Sequence, residues 1–307
     1  MRSSYHSYGA DVSDCKDIRE VMSQGGLDWE VLKGKVSAQF ADGTSQVLED
    51  RMTTYRADTN TVLGVVGNNY EVFQNYETYD WLNVLHGQDE VKWEHAASFQ
   101  GGRKIAVTCR LPGISEISDG DTLERFLIAV NSHDGGGSVR LFPSTTRPVC
   151  ENTLRVVEDR ASKNQRILRF IHRESSLNQR VKEGRKFIET IQIMHNKFQQ
   201  TAQQLQQSTF SDEKLNEYFS KILAAKTNSK KAADRHTETL LRIFNSDKNA
   251  GGYGANGWTA LQAVTEWVDH HGRKRTGESR LNSNLFGAAD TFKQSALQLA
   301  KEVFLAV

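Results

Sequence analysis

Residues 127–156, LIAVNSHDGGGSVRLFPSTTRPVCENTLRV, decide the fold. Two short apolar runs, 127–131 and 138–142, flank a His-Asp-Gly-Gly-Gly connection, a pattern typical of an antiparallel hairpin. A run of Thr-Thr-Arg-Pro-Val-Cys-Glu-Asn follows the second strand. So many small and polar residues indicate either a sharply bent backbone or a surface that holds a ligand.

Strand and turn patterns also precede this stretch. Residues 33–48 predict a hairpin around Ala-Asp-Gly-Thr, and residues 93–111 predict another around Gly-Gly. Residues 51–56 and 62–73 add strand-like runs, while 76–87 (YETYDWLNVLHG) predict a helix. Proline is excluded from helix interiors, and every proline of the chain lies within this β-rich part. The prolines are Pro112, Pro143 and Pro148.

From residue 153 the apolar spacing becomes helical. It predicts helices over 153–174 and 177–207, and a flexible glycine-rich loop over 249–257. Further helices are predicted over 211–225, 234–245, 258–271 and 288–305. The expected fold is therefore α+β, with antiparallel hairpins around one helix followed by a mostly helical half. The expected division is an N-terminal extension (1–32), a β-rich core domain (33–152) and a helical region (153–307).

The composition is that of a globular protein. The chain has 307 residues, of which 37% are hydrophobic and 25% charged, and no apolar run is long enough to cross a membrane. The N-terminus lacks the apolar segment of a secretory signal. Three widely spaced cysteines, Cys15, Cys109 and Cys150, fit reduced thiols in the cytoplasm. No metal site and no cofactor are predicted, because no Cys or His pair has ligand spacing.

Charge is unevenly distributed although the net charge is only +1. Residues 1–100 contain eight basic and sixteen acidic side chains, whereas residues 160–186 contain nine basic and two acidic ones. Residues 273–307 contain six basic and three acidic side chains. Such a run is most often a solvated face, but a basic block can also attract phosphates despite a near-neutral total.

Nucleic acid is the leading candidate ligand. The glycine turn, the hydroxyls and arginine near residue 147 and the basic block all suit contacts with phosphate. Arg166, Arg169 and Arg173 would share one exposed helical face, and exposed aromatic rings beside them would stack bases. The candidate nucleic-acid-binding residues are Arg103, Lys104, His133, Arg140, Thr145, Thr146, Arg147, Asn152, Arg155, Arg166, Arg169, Arg173, Arg273, Lys274 and Arg275.

A nucleotide-directed enzyme is the alternative, with a site made of His133, Asp134, Arg147 and Cys150. A histidine oriented by a carboxylate can activate a thiol. Nothing places Cys150 in a nucleophile elbow, however, so a structural cysteine is favoured and no catalytic residue is assigned. The turn 133–137 and the junction 145–152 are predicted to lie close together and to form one ligand-facing surface. Because direct pairing of the two strands would put His133 and Arg147 at opposite hairpin ends, ~17 Å apart, this surface needs the chain to fold back after Phe142 or a ligand that spans both segments. A compact site would instead need them within roughly 8 Å.

Several segments carry a family resemblance. VLGVVGNNYEVFQNYE, FQGGRKIAVTCRLPG, IAVNSHDGGGSVRLFPSTTRPVCENTL and GWTALQAVTEWVDHH resemble the phage- and plasmid-associated family catalogued as domain of unknown function 932. That resemblance spans most of residues 45–305 and implies an origin in mobile elements.

The layout of hairpins around a helix, followed by a basic helical half, is similar to that of single-strand annealing proteins of the RecT, Erf and RAD fifty-two type. Those proteins form rings or filaments that hold single-stranded DNA in a basic groove. The likeness implies a homo-oligomer in the bacterial cytoplasm that binds, and by extension anneals, single-stranded DNA. A third reading is an interaction protein whose acidic half blocks a host-defence factor.

Overall fold

The computed structural model describes residues 9–136, 139–147, 152–155, 168–170, 177–224, 226–227, 229–271 and 277–305. For 152–155, 168–170, 280–282 and 285–286 it describes the backbone alone. Antiparallel sheets occupy the N-terminal half and helices most of the C-terminal half. The chain is therefore α+β, which confirms the predicted fold class.

The strands form two sheets. In chain order they are β1 (Ala10–Asp11), β2 (Val31–Gln39), β3 (Ser45–Arg56), β4 (Val62–Gly67), β5 (Lys92–Phe99), β6 (Lys104–Ser118), β7 (Asp121–Ser132), β8 (Val139–Arg147), β9 (Asn152–Arg155) and β10 (Leu168–Phe170). The central sheet has the order β1-β5-β6-β7-β8-β10, and β9 also pairs with β8. The smaller sheet has the order β2-β3-β4. The three predicted hairpins are confirmed by the pairing of β2 with β3, β5 with β6 and β7 with β8.

Helices surround the central sheet and build the C-terminal half. They are α1 (Ile18–Gln24), α2 (Asn75–Gly87), α3 (Leu177–Gln207), α4 (Asp212–Ala224), α5 (Lys230–Phe244), α6 (Ala250–Tyr253), α7 (Gly257–Glu266), α8 (Gly277–Phe286) and α9 (Ala288–Ala300). A π-helical turn extends α7 through Trp267–His271, and another extends α9 through Lys301–Leu305. The predicted helices at 76–87, 177–207, 211–225, 234–245, 258–271 and 288–305 are confirmed within a few residues of their ends.

The central sheet buries both faces. Alternation along the strands places Val107, Leu127 and Leu141 on one face, where the core also includes α2 and α3. Tyr79 of α2 reaches that face and donates a hydrogen bond to the carbonyl of Ile105 (3.1 Å). The opposite face carries a separate apolar cluster of Ala97, Phe99, Ala106, Ile128, Val130 and Phe142. We call this opposite side the second face.

The N-terminal segment belongs to the main core. Of the predicted extension 1–32, the described residues 9–32 pack with the sheet: β1 pairs with β5, and Val12, Ile18 and Val21 are buried in the same cluster. Asp17 caps α1 by accepting hydrogen bonds from the first-turn amides. The segment therefore contributes apolar packing to the β-rich half.

Two local predictions are wrong. The helix expected over 153–174 is replaced, in its described parts, by the short strands β9 and β10, both paired with β8. Helical apolar spacing did not reveal that the outer edge of β8 needs backbone partners. The loop expected over 249–257 contains the one-turn helix α6, because buried Asn249 anchors it to the carbonyl of Ile243 (3.2 Å). The helices α1 and α8 were not predicted.

The position of Pro143 follows from the same edge. Proline lacks an N–H group, so it is tolerated in a strand only where no ladder hydrogen bond is needed. In β8, the pairing with β10 covers residues 139–141 and the pairing with β9 covers residues 144–147. Pro143 lies in the gap between these two partners, opposite Leu127 of β7.

Candidate nucleic-acid interface

His133 at the start of the His-Asp-Gly turn is buried, whereas Gly135 and Gly136 are exposed. His133 is 1% exposed, and its amide donates to the carbonyl of Arg103 (2.8 Å). Its carbonyl accepts a hydrogen bond from the hydroxyl of Thr54 (2.6 Å). Its Nε2 lies 2.8 Å from Oδ1 of Asn75, whose Nδ2 in turn donates to Leu27. Because the amide oxygen accepts there, Nε2 carries the proton.

His133 is therefore withdrawn from the predicted phosphate contacts. Its partners come from β3 and the start of α2, which are 79 and 58 residues away in sequence. No local pattern around the turn could have revealed them. The physical reason is that the His133 side chain is buried and hydrogen-bonded to Asn75, so a ligand in solvent cannot reach it.

Asp134 occupies the turn that was expected to cradle phosphate. Its carboxylate accepts hydrogen bonds from the Ser132 hydroxyl and from the amide of Gly136 (2.8 Å). Partial burial alone would raise the pKa of Asp134, but the Ser132 and Gly136 hydrogen bonds and the positive charge of Lys104 together lower it. An ionised carboxylate thus already satisfies one amide of this turn. Gly137 lies outside the described residues.

A basic end of the sheet lies beside this turn. It consists of Arg103, Lys104 and Arg140, and we call these three residues the basic end. Lys104 pairs with Ser132 across β6 and β7, and Arg140 pairs with Val130 across β7 and β8, so both belong to the second face. Arg103 is exposed, while Lys104 and Arg140 are half-buried. Within the described ranges, none of the three forms an ion pair.

The register adds a fourth basic position. Arg169 of β10 lies opposite Arg140 in the antiparallel pairing. Arg169 therefore lies on a strand and not on the predicted helical face. Arg166 and Arg173, the other two members of that face, lie outside the described residues.

The opposite end of the β7–β8 hairpin holds a buried ion pair. Arg147 is 1% exposed and binds both carboxylate oxygens of Asp121, at 2.6 Å from Nε and 2.8 Å from Nη2. Trp258 of α7 donates a third hydrogen bond to the same carboxylate (2.9 Å). Such a two-pronged pair has the preferred geometry of arginine with carboxylate.

The remaining nitrogen of this guanidinium reaches the helical half. Nη1 of Arg147 donates to the carbonyl of Lys248 (2.8 Å) and to Oδ1 of Asn249 (3.0 Å). The guanidinium also lies over the ring of Tyr253, 4.8 Å from its centroid. Arg147 therefore joins the sheet to the helices around α6 and α7, which is a structural role. The neighbouring candidates Thr145 and Thr146 are buried as well.

The hairpin register separates the two ends. From the pair Glu124–Thr146 to the pair Val130–Arg140 the strands advance six residues, about 20 Å. His133 and Arg147 lie beyond opposite ends of this ladder. The compact site that the enzyme hypothesis requires from these two residues is therefore not formed, and the prediction that the turn and the junction lie close together is wrong for their described residues. Cys150 lies outside the described residues.

Other parts of the predicted basic block are used within the protein. Arg180 binds Asp80 (2.9 Å) and Arg185 binds Glu90 (2.8 Å), which fastens α3 to α2 and the turn after it. Of the remaining candidates, Asn152 and Arg155 lie in β9, with backbone alone described. Residues 273–275 lie outside the described residues.

Most of the aromatic rings in the β-rich half are core residues, as expected. Tyr79, Trp81, Trp93 and Phe99 are almost completely buried. Tyr76 is exposed, and the guanidinium of Arg19 lies over it, 5.1 Å from its centroid.

Sequence reasoning missed the residues that decide these environments. Asp121 follows a Ser-Asp-Gly turn, and its pattern does not distinguish a turn carboxylate from the partner of a buried arginine. Asn249 and Glu278 likewise gain their roles only from tertiary contacts.

Comparison with family models places the chain. Residues 62–287 match the family described as Domain of unknown function (DUF932). Since the match covers well over half of the chain, the protein belongs to this family. Comparisons with curated proteins and with solved structures each found no match. In the described ranges, no helix has the length and apolar character required to cross a membrane.

Proposed function

We propose that this protein binds single-stranded DNA at the basic end of its central sheet. The observation that carries the proposal is the contrast in pairing among the candidate cations. Arg147, Arg180 and Arg185 are neutralised by carboxylates, whereas Arg103, Lys104 and Arg140 make no ion pair with a described residue. Cations that a fold leaves unpaired on one surface are available to neutralise phosphates.

The charge distribution favours single-stranded over duplex DNA as the ligand. The net charge is +1 and the first 100 residues are acidic, so duplex DNA would meet repulsion outside the basic end. A strand of nucleic acid can follow a short row of cations across one end of the sheet, because single-strand binders track the backbone. The similarity in layout to annealing proteins extends the proposal to annealing by a homo-oligomer encoded in phages or plasmids.

The decisive variant is Lys104→Ala/Arg140→Ala. Each lost phosphate contact costs roughly 1 kcal/mol, so affinity for a labelled oligothymidine should fall about thirtyfold. The dependence of log affinity on log salt should become shallower by about 1.4, because each single-strand contact contributes about 0.7. Fluorescence anisotropy at several salt concentrations measures both quantities.

The matched control is Lys214→Ala/Arg235→Ala. It removes the same charge from exposed positions on α4 and α5, and affinity should stay within about twofold, since those cations lie away from the proposed contacts. Equal binding by the two double variants would overturn the proposed interface. Equal affinity of the wild type for duplex DNA would overturn the preference for single strands.

A further inference from the structure

The turn between β5 and β6 has an unusual backbone. Gln100, Gly101 and Gly102 have φ values of 53°, 69° and 105°, and Arg103 returns to the right-handed region at −58°. A left-handed conformation is uncommon at glutamine, which carries a Cβ. Successive amides in such turns can converge on one point and form a concavity for an anion.

An anion already lies on this turn. The carboxylate of Glu278, in the first turn of α8, accepts a hydrogen bond from the amide of Gln100. The two residues are 178 positions apart in sequence. Within the described part of the chain, Glu278 forms no ion pair, and the amide of Gln100 is the hydrogen-bond partner of its carboxylate.

Cations border the same turn. Arg103 and Lys104 follow it directly and belong to the basic end. Arg56 passes close to it, since a Cβ on Gly102 would lie 3.1 Å from Cδ of Arg56. The guanidinium of Arg56 is bound by Asp58, at 3.0 and 2.6 Å. A phosphate group that replaced the Glu278 carboxylate would therefore meet the amide of Gln100 beside Arg103 and Lys104, which form no ion pair with a described residue.

We propose that the Gln100–Gly102 turn is a phosphate-binding subsite and that the Glu278 carboxylate occupies it in the DNA-free protein. A backbone phosphate of the bound strand displaces Glu278 and gains the amide together with Arg103 and Lys104. The inference rests on the proposed function. It adds that the Glu278 carboxylate competes with a DNA phosphate for the same turn. Occupation by Glu278 lowers the apparent affinity by the fraction of molecules in which the subsite is open.

Two substitutions distinguish occupation of the subsite by Glu278 from repulsion of DNA by its negative charge. Glu278→Ala removes the carboxylate, whereas Glu278→Asp keeps the negative charge but shortens the side chain by one methylene. Both should raise the affinity for oligothymidine about tenfold, within the usual range of coupling between sites. The control Glu238→Ala removes an exposed carboxylate on α5 and should change affinity less than twofold.

Amide hydrogen exchange gives a second readout. In DNA-free protein, exchange at Gln100 should be faster in both Glu278 variants than in the wild type. Adding oligothymidine should restore slow exchange in each variant.

The outcomes are distinct. If the wild type binds oligothymidine and the Glu278 variants match Glu238→Ala, the competitor is disproved and the proposed function stands. Tightening in Glu278→Ala alone would show charge repulsion instead of occupation. Weaker binding with a lowered melting temperature would show that Glu278 only fastens α8. Absence of binding in the wild type at low salt would overturn the proposed function and this inference together.

Discussion

The two ends of the β7–β8 hairpin carry arginines in opposite circumstances. At one end Arg147 is buried, and every nitrogen of its guanidinium has a protein acceptor on Asp121, Lys248 or Asn249. At the other end Arg140 is half-buried and forms no ion pair with a described residue, and Arg169 lies opposite it. The same residue type thus stabilises the fold at one end, and at the other we propose that it binds the ligand.

Burial and ion pairing distinguish cations with a structural role from cations that can bind a ligand. A buried arginine must be compensated, because an uncompensated charge in a protein interior is very costly. Its partners are therefore structural evidence of an internal role. An unpaired, solvent-accessible cation carries no such requirement, so a cluster of them is the better indicator of an external anion.

The largest expected effect is on the buried end. Arg147→Ala would leave Asp121 charged and buried without its partner, which should lower the free energy of unfolding by about 3–5 kcal/mol. Urea denaturation measures this loss. Arg140→Ala is the control and should stay within about 0.5 kcal/mol of the wild type. If the two variants were equally stable, the distinction between the ends would collapse.

Arg147 stays charged in the interior because Asp121 neutralises it, whereas burial of a histidine should favour its neutral form. His195 on α3 is 1% exposed, and burial, followed by the positive charge of Arg125, lowers its pKa to about 4. The unfolded chain binds this proton near pH 6.5 and the folded protein does not. Stability should therefore be complete above pH 6.5 and fall as the pH decreases towards 4, by about 3 kcal/mol in total.

The variant His195→Leu isolates this contribution. Urea denaturation at several pH values should show a weaker loss of stability between pH 6.5 and 4 than in the wild type. His236→Leu removes a less buried histidine on α5 and should retain most of the wild-type dependence. Parallel curves for the wild type and His195→Leu would refute a neutral buried imidazole.

A smaller effect tests how the basic end is supported. Gly64 of β4 lies against the turn, and a Cβ there would be 2.6 Å from Cα of Asp134. Gly64→Ala should therefore cost about 1–3 kcal/mol through overpacking. In the control Gly67→Ala the added Cβ would meet no atom within 4 Å, so thermal unfolding should show a much smaller change. Equal melting temperatures would mean that the small sheet does not position the turn.

Much of the fold was predictable because its signals are local. Alternating apolar residues around Asp42-Gly43 identified the β2–β3 hairpin, and Thr44 completes the turn by donating its amide to Asp42 (3.0 Å). The cap of α7 was equally visible, since Asn256 accepts a hydrogen bond from the amide of Thr259 (3.0 Å). Failures occurred where the decisive partner was remote, as in β10, a three-residue strand that pairs with β8.

The candidate site shows the same division. The sequence by itself determined which residue types occur near each turn and that His133 and Arg147 lie at opposite ends of one hairpin, because strand geometry depends on local alternation and length. Only the tertiary structure decided that Asp121 neutralises Arg147, that Asn75 accepts a hydrogen bond from His133 and that Arg140 forms no ion pair with a described residue. The physical reason is that burial and ion pairing depend on groups brought together across 26 to more than 100 positions of chain. Hydrophobic periodicity is a local pattern and cannot predict partners that are remote in sequence.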